Sequence, residues 1–313
     1  MVKVIVGTMG RSPFAKTEAM STPAQFKAFL GACQSYGVKE LDTARVYSAG
    51  ENERLLGEVN AGKQFQVSTK INITGEGALK RDSILRSADE SLASLREQAV
   101  DIFYIHRPDR SVAMEETCSA INDLYQQGKF KRFGICSYAA SEVEEMHALC
   151  KAKGYVLPSV YQGNYNPLAR RPETELFPTL RRLGIHFYGF GPLAGGLLAK
   201  PAQDISVSNK ESRFGALPML GSFYLKDDIV SQVRKLQDLC RSHGVSSMDA
   251  TLRWLMHHSP LGPDDGVLLG ASSVEQVQGN LKATQGGPLS EDLVGAFEDL
   301  WKSVEAIAPP YHQ

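Results

Sequence analysis

The chain has 313 residues and an almost balanced charge, with 34 Lys and Arg residues against 35 Asp and Glu residues. Hydrophobic residues make up 42% and charged residues 22%, which is ordinary for a globular protein and argues against a disordered chain. There is no basic block and no acidic tail, so neither nucleic acid nor an anionic membrane is a favoured partner.

Cysteine usage and the N-terminal segment narrow the class of protein further. The five cysteines are scattered and show no CxxC spacing, which argues against a disulfide framework and against a zinc site. Adjacent His257 and His258 point to different faces of a helix and make a poor metal pair, so we expect no metal. The N-terminal apolar run is too short for a signal peptide, and no run approaches a membrane span. The sequence predicts a soluble, cytoplasmic protein.

Short apolar runs alternate with longer amphipathic segments along the whole chain. The runs are rich in β-branched and aromatic residues and do not alternate strictly, as is typical of parallel strands covered by helices. The predicted strands are residues 3–7, 39–41, 65–70, 100–106, 130–136, 159–162, 186–190 and 266–270. The predicted helices between them include residues 24–37, 80–97, 113–127, 142–153, 173–183, 250–258 and 274–285.

Eight strand-then-helix units in series, with no linker or low-complexity tract, favour an α/β fold. We predict a single (β/α)8 TIM barrel over residues 1–313, in preference to a doubly wound sheet. Residues 191–226 form a long loop after the seventh strand, which predicts a lid or a binding loop. Residues 227–242 and 290–305 are predicted as two extra amphipathic helices.

Four polar residues stand at or just after the ends of three neighbouring strands. Asp42 ends the second strand and Tyr47 lies in the loop after it, while Lys70 ends the third strand and His106 the fourth. Chemistry in such barrels sits at the carboxyl ends of the strands, so these side chains should meet over the barrel mouth. Each residue alone has a commoner structural explanation, such as a helix cap for Asp42. Only their joint placement favours a site.

The four residues have complementary chemistry. A tyrosine has an ordinary pKa near ~10, and we expect the Lys70 ammonium to lower it, with the Asp42 carboxylate holding that ammonium charged and oriented. A phenol tuned in this way gives a proton to a developing alkoxide, and His106 would aim the carbonyl oxygen. The pattern predicts a general acid for carbonyl reduction.

Several segments resemble the aldo-keto reductases. LDTARVYSAGENERLLG (residues 41–57) is similar to the first signature of that family, and VSTKI and FYIHRPD are similar to its lysine and histidine segments. The segments ELFPTLRRLGIHFYGFGPLAGGLL, LRWLMHHS and LLGASSVEQVQGNLKA resemble the branch that contains the aflatoxin aldehyde reductases. The resemblance runs from about residue 4 to about residue 311.

The resemblance implies hydride transfer from NADPH to an aldehyde or ketone, with Tyr47 as proton donor, Lys70 and Asp42 tuning it and His106 orienting the carbonyl. It implies a cofactor bound across the barrel mouth without a Rossmann unit, which agrees with the lack of a GxGxxG segment between a strand and a helix. The implied cofactor residues are Asp42, Cys136, Ser137, Gln162, Phe190, Gly191, Pro192, Leu193, Gly195, Gly196, Lys200, Arg213, Ser272, Ser273, Gln276 and Asn280. The implied substrate residues are His106, Met9, Arg11 and Tyr224.

Two departures from the family pattern bear on specificity. Cys136 and Ser137 stand where the family usually has Ser-Asn after the fifth strand, so the reach of an asparagine to the nicotinamide carboxamide is lost. The chain ends in Tyr311, His312 and Gln313 rather than in an arginine that grips a substrate carboxylate. Acidic semialdehydes are therefore not favoured as substrates.

The sequence leaves other functions open. A nucleotide-sensing regulatory subunit resembling the potassium-channel β subunits shares this barrel and would bind NADPH without turnover. A phosphate-sugar isomerase on a similar barrel would need no nicotinamide cofactor. Reactive-aldehyde detoxification and a tailoring step in biosynthesis are both compatible with the sequence, and so is a homodimer.

Overall fold

Eight parallel strands close into a barrel in chain order, which confirms the predicted (β/α)8 architecture. The structure is a computed structural model that describes residues 2–9, 21–201, 204–205, 208 and 213–312. The strands are β1 (Lys3–Gly7), β2 (Glu40–Asp42), β3 (Gln66–Lys70), β4 (Val100–Ile105), β5 (Phe130–Cys136), β6 (Pro158–Asn164), β7 (His186–Phe190) and β8 (Gly266–Gly270).

Strand register decides which side chains enter the barrel. Tyr104 on β4 pairs with Gly134 on β5, and Cys136 pairs with Gln162 on β6. Because successive side chains of a strand point to opposite faces, alternate residues line the interior. A separate buried cluster lies there: Ile5, Ile102, Tyr104, Cys136, Val160, Tyr188 and Leu268. Asp42, Lys70 and Gln162 also face the interior, and they lie at or near the carboxyl ends of their strands.

The helices cover the barrel outside. They are α1 (Pro23–Ser35), α2 (Glu51–Glu58), α3 (Arg81–Leu95), α4 (Met114–Gln126), α5 (Ala140–Lys153), α6 (Pro172–Glu175), α7 (Phe177–Leu183), α8 (Arg213–Ala216), α9 (Pro218–Tyr224), α10 (Asp227–Ser242), α11 (Ser247–His257), α12 (Val274–Thr284) and α13 (Glu291–Val304). Start signals in the sequence work as expected at two of them. The Thr22 hydroxyl accepts from the backbone N–H of Gln25, and Ser246 accepts from that of Asp249.

Two predictions need correction. The helix predicted over residues 173–183 is two helices, α6 and α7, that meet at Leu176. Pro178 has no N–H to continue the hydrogen-bond ladder, which explains the break. The segment 191–226 is also not a plain loop, because its described part contains a 3₁₀ turn at Ala194–Gly196 and the short helices α8 and α9. The two extra helices, α10 and α13, are present and pack on each other.

The amino end of the barrel is closed by a polar network rather than by a site. Arg132 on β5 pairs with Asp101 at 2.5 Å and with Glu40 at 3.2 Å, and the Tyr188 hydroxyl donates to Glu40 at 3.0 Å. These groups form ion pairs and hydrogen bonds with one another and close the end of the barrel opposite the mouth. Residues at that end of such barrels contribute to stability rather than to catalysis. Within the described residues, no helix is long and apolar enough to cross a membrane.

Candidate active site

The residue predicted as proton donor is held in a tight turn. Tyr47 is the first residue of a 3₁₀ turn, Tyr47–Gly50, that leads directly into α2. Ser48 and Ala49 have φ values of 50° and 54°, and Gly50 has a φ of 91°. Left-handed backbone is uncommon for residues with a Cβ, so the turn is strained, and its position depends on contacts made by the residues around it.

Lys70 is fully buried and its charge is balanced by its neighbours. Its ammonium group pairs with the Asp42 carboxylate and donates to the Thr43 carbonyl oxygen at 2.8 Å. Burial is the largest single influence and lowers the pKa of Lys70, but the charge and hydrogen bond of Asp42, together with Tyr47 and Cys136, outweigh it and leave the pKa above its ordinary value. The ammonium lies 5.4 Å from the ring centroid of Tyr47 and 5.5 Å from that of Tyr104. The structure therefore brings the predicted Asp, Lys and Tyr together.

Tyr104 is a contact of Lys70 that sequence reasoning missed. Its ring packs against the backbone of β5, where a side-chain carbon on Gly134 would come within 2.2 Å of it. Cation–π contacts of this kind stabilise a buried ammonium. The pairing of a large residue on one strand with glycine on the next was visible in the sequence, but only the register shows that the two are opposite.

The His106 ring meets the Tyr47 ring edge-on, with centroids 5.9 Å apart and an interplanar angle of 79°. Burial, together with the positive charges of Lys70 and Arg107, lowers the pKa of His106 to about 3. Nδ1 of His106 is buried and has no hydrogen-bond partner among the residues that the structure describes. His106 is therefore neutral at physiological pH and suited to hydrogen-bond a ligand oxygen rather than to carry charge.

The expected lowering of the Tyr47 pKa is wrong in this structure. Burial raises the pKa of the phenol, and the opposing effect of the Lys70 ammonium is smaller. The Asp42 carboxylate adds to the rise. The sequence argument had counted the ammonium but not the desolvation of the phenol, which favours its neutral form. Tyr47 is therefore protonated, and the Lys70 ammonium limits how far burial raises the pKa of the phenol.

Gln162 makes a contact that was not expected. It was predicted to bind a nicotinamide carboxamide, but its Nε2 donates to Asp42 Oδ2 at 2.9 Å. The Asp42 carboxylate therefore receives hydrogen bonds on both oxygens, one from Lys70 and one from Gln162. These two hydrogen bonds orient the carboxylate. The contact of Gln162 with a nicotinamide carboxamide stays a prediction.

The unusual pair after β5 lies at the same level. Cys136 is buried in the barrel interior, and burial raises the pKa of its thiol, so it is a neutral neighbour of Lys70 and Asp42. Ser137 has a φ of 61°, a conformation in which asparagine is more common than serine. The substitution thus changes both the polarity and the backbone preference at this edge of the mouth.

The loop after β7 presents an apolar ring followed by a turn of small residues. Phe190 is 37% exposed although it ends a barrel strand. Gly191, Ala194, Gly195 and Gly196 all have positive φ, from 49° to 110°. Pro192 is buried, and Leu193 is the N-cap residue that precedes the 3₁₀ turn. Positive φ at successive residues is typical of anion-binding turns, but here the N–H groups of Ala194 and Gly196 donate to the carbonyl oxygens of Gly191 and Leu193 at 2.9 and 2.8 Å.

The residues predicted to meet phosphate groups are spread over two elements. Arg213 on α8 is close enough to Tyr47 for their charges to interact, and its Nη1 would lie 4.0 Å from a side-chain carbon on Gly270. Burial lowers the pKa of Arg213. Lys200 is exposed, and the chain between them is only partly described. The guanidinium thus reaches over the mouth from the loop.

The start of α12 is capped by the serines that were predicted to bind phosphate. Ser273 accepts from the backbone N–H of Gln276 at 3.2 Å, and the Ser272 hydroxyl donates to the Gln276 side chain at 2.8 Å. Asn280 donates to the Gly270 carbonyl oxygen at 3.3 Å. These contacts fit a capped helix, and the helix begins shortly after the carboxyl end of β8.

The predicted substrate residues have three different outcomes. Met9, half-buried, follows β1 at the carboxyl end of the barrel. Arg11 lies outside the described residues. Tyr224 is buried on α9, and its hydroxyl is bonded to Asn164 at 2.8 Å and to Asn166 at 3.1 Å. Tyr224 therefore ties α9 to the end of β6, and its contact with a substrate stays a prediction.

Comparison with known proteins identifies the family of the chain. The family model "Aldo/keto reductase family" matches residues 3–302. The chain is 40% identical over 295 residues to "Oxidoreductase sirO" of Leptosphaeria maculans, covering 93% of this chain and 89% of the relative. It is 40% identical over 319 residues to human "Aldo-keto reductase family 7 member A3", covering 97% and 94%. It is 38% identical over 328 residues to human "Aflatoxin B1 aldehyde reductase member 2", covering 99% and 89%. The chain belongs to the aldo/keto reductase family.

Proposed function

We propose that the protein is an NADPH-dependent reductase that converts an aldehyde or ketone to an alcohol, with Tyr47 as the proton donor. The observation that supports this most directly is the buried Lys70 ammonium, which pairs with Asp42 and lies 5.4 Å from the Tyr47 ring. A buried charge is costly unless it is paired. Because this ammonium lies beside a phenol and a neutral imidazole, it can stabilise the phenolate that forms when the phenol gives up its proton.

The residues around the mouth fit a dinucleotide cofactor. Phe190 offers an exposed apolar face for a planar ring, and the turn after it consists of small residues that let a ligand approach the backbone closely. Arg213 and the capped start of α12 offer positive charge and N–H donors for phosphates. Nδ1 of His106 is buried and has no hydrogen-bond partner within the described part of the chain, so it is available to bond a ligand. When bound, NADPH supplies the hydride.

The protein's own residues then handle the proton. Neutral His106 hydrogen-bonds and aims the carbonyl oxygen, and Tyr47 gives its proton to that oxygen as negative charge develops on it. The Lys70 ammonium stabilises the phenolate that is left, and Asp42 keeps the ammonium charged and in place. Gln162 holds the carboxylate from its other side. The site thus separates proton delivery from hydride supply.

The relatives indicate the range of substrates to test. Two of them bear names that refer to aldehyde reduction or to the aldo-keto reductases. We therefore propose an aldehyde as the first substrate class, with ketones second. A panel of aromatic and aliphatic aldehydes, with and without a carboxylate, would show whether the chain discriminates against acidic semialdehydes.

The test is NADPH oxidation at 340 nm with 4-nitrobenzaldehyde, for wild type, Tyr47→Phe and the control Tyr125→Phe. Tyr125 is 39% exposed on the outer surface and far from the mouth in the fold. Wild type and the control should turn over, and Tyr47→Phe should lose about 10²- to 10⁴-fold in kcat while still quenching NADPH fluorescence. NADPH binding without wild-type turnover would contradict the enzyme and favour a regulatory subunit. Full activity of Tyr47→Phe would contradict the proton donor.

A further inference from the structure

A second buried carboxylate lies directly behind the catalytic cluster. Glu53 on α2 is fully buried. It accepts from the Thr69 hydroxyl at 2.6 Å and pairs with Arg45 Nη1 at 2.7 Å. Burying a carboxylate with good partners on both oxygens fixes the groups it holds. We name Arg45, Glu53 and Thr69 the anchor triad.

The anchor triad joins the two chain segments that present the proton donor and its ammonium neighbour. Thr69 directly precedes Lys70 on β3, and Arg45 stands two residues before Tyr47. The backbone N–H of Arg45 also donates to the Lys70 carbonyl oxygen at 3.2 Å. The Glu53 side chain therefore connects the segment that ends in the ammonium to the segment that leads to the phenol.

The guanidinium of Arg45 also supports the strained turn. A side-chain carbon on Gly50 would come within 2.5 Å of Arg45 Nη1, so the backbone at Gly50 lies against this group. Arg45 further contacts Ser94 Oγ at 3.2 Å and Glu90 at 3.4 Å on α3. Three successive left-handed residues do not hold their shape by local preference. The contacts of Arg45 are what the turn packs against.

We propose that Arg45, Glu53 and Thr69 are positioning residues that set the distance between the Tyr47 phenol and the Lys70 ammonium. The proposal rests on the proposed function, because it concerns the same proton donor. Their side-chain contacts are with one another, with α3 and with the turn, so they act through the turn and through β3. A misplacement of about 1 Å in a catalytic group is enough to cost on the order of 10²-fold in rate.

An effect of the triad on the Tyr47 phenol would be geometric rather than directly electrostatic. The main charges that act on the phenol are those of Lys70, Asp42 and Arg213, and Arg45 and Glu53 are not among them. If the turn relaxes, the phenol moves away from the ammonium that lowers its pKa. The pKa of the proton donor should then rise, and the high-pH limb of the rate profile should move to higher pH.

The experiment compares Glu53→Gln and Thr69→Val with two controls. Thr69→Ser keeps the hydroxyl donor, and Glu58→Gln changes a half-buried carboxylate on the same helix that pairs with Arg54. Each variant is assayed for kcat against pH with NADPH and 4-nitrobenzaldehyde, and for NADPH affinity by fluorescence quenching. We expect Glu53→Gln to lose about 10- to 100-fold in kcat, with NADPH affinity within about twofold of wild type.

The supporting and opposing outcomes differ in the pH profile. In support, the high-pH limb moves upward in Glu53→Gln and to a smaller extent in Thr69→Val, and both controls keep the wild-type profile. A purely structural role would lower the fraction of protein that binds NADPH, yet leave kcat per binding site and the limb unchanged, and this result overturns the proposal. Thr69→Val removes only a hydroxyl and keeps the test decisive if Glu53→Gln does not fold. An inactive wild type instead refutes the proposed function itself.

Discussion

Replacing Lys70 by methionine removes the charge of the catalytic cluster while keeping most of the side-chain volume. Lys70 Nζ lies 5.4 Å from the Tyr47 ring centroid. At an effective dielectric constant of about 20, two unit charges at that separation interact by about 3 kcal/mol. This corresponds to about two pKa units, or about 10² in an equilibrium constant.

The direction in which the pH profile should move follows from the form of Tyr47 that is active in carbonyl reduction. The Lys70 ammonium lowers the pKa of Tyr47, so its removal raises that pKa. In carbonyl reduction the protonated phenol is the active form, so activity falls as pH rises through the phenol pKa. Lys70→Met should therefore move the high-pH limb of kcat upward. It should also lower the plateau by up to about 10²-fold, because the phenol becomes a weaker acid.

Stability must be separated from chemistry, because the substitution leaves Asp42 buried with Gln162 as its remaining side-chain partner. Breaking a buried ion pair costs about 3–5 kcal/mol. The double variant Asp42→Asn with Lys70→Met removes both charges and should recover much of the loss in urea unfolding without recovering kcat. A Lys70→Met enzyme with kcat within about threefold of wild type and an unmoved limb would refute the electrostatic reasoning.

Three further predictions follow from individual burial and packing. The pKa of His106 is about 3 in the fold, so protonation of the unfolded chain should cost up to about 1.4 kcal/mol of stability per pH unit between pH 6.5 and 3, and urea unfolding of His106→Gln should show a weaker acid dependence than wild type. Gly57→Ala places a carbon 2.2 Å from the Ser94 carbonyl oxygen and should destabilise by about 1–3 kcal/mol, whereas Gly31→Ala, with nothing within 4 Å, should stabilise by up to about 1 kcal/mol; equal Tm shifts would contradict the packing argument. Asp265 is fully buried and accepts from a guanidinium and from two backbone N–H groups at 2.8 and 2.7 Å, so Asp265→Ala should cost about 3–5 kcal/mol in urea unfolding with unchanged NADPH affinity.

The barrel and the placement of the candidate site residues were predictable because both depend on short stretches of sequence. The spacing of apolar residues predicts the strands and helices, and parallel strands have their carboxyl ends at the same edge of the sheet. Asp42, Lys70 and His106 could therefore be assigned to the mouth without knowing any distance. Pro178 could also have predicted the break between α6 and α7, but the amphipathic pattern over residues 173–183 favoured one continuous helix.

Other features depended on contacts between residues far apart in the chain. Gln162 bonds to Asp42 across 120 positions, and Glu53 bonds to Thr69 across 16. No periodicity or motif fixes such pairs, because a side chain chooses its partner from what the packed interior leaves within reach. The hydrogen bonds of the Tyr224 hydroxyl with Asn164 and Asn166 could not be predicted from the sequence for the same reason.

The sequence by itself determined the class of fold and the chemical identity of the site, because both depend on residue types placed at strand ends. Only the tertiary structure decided the protonation of that site. Burial outweighs the Lys70 ammonium at Tyr47 and keeps His106 neutral. Desolvation is a property of the packed interior, and it arises only when the chain has closed around these groups.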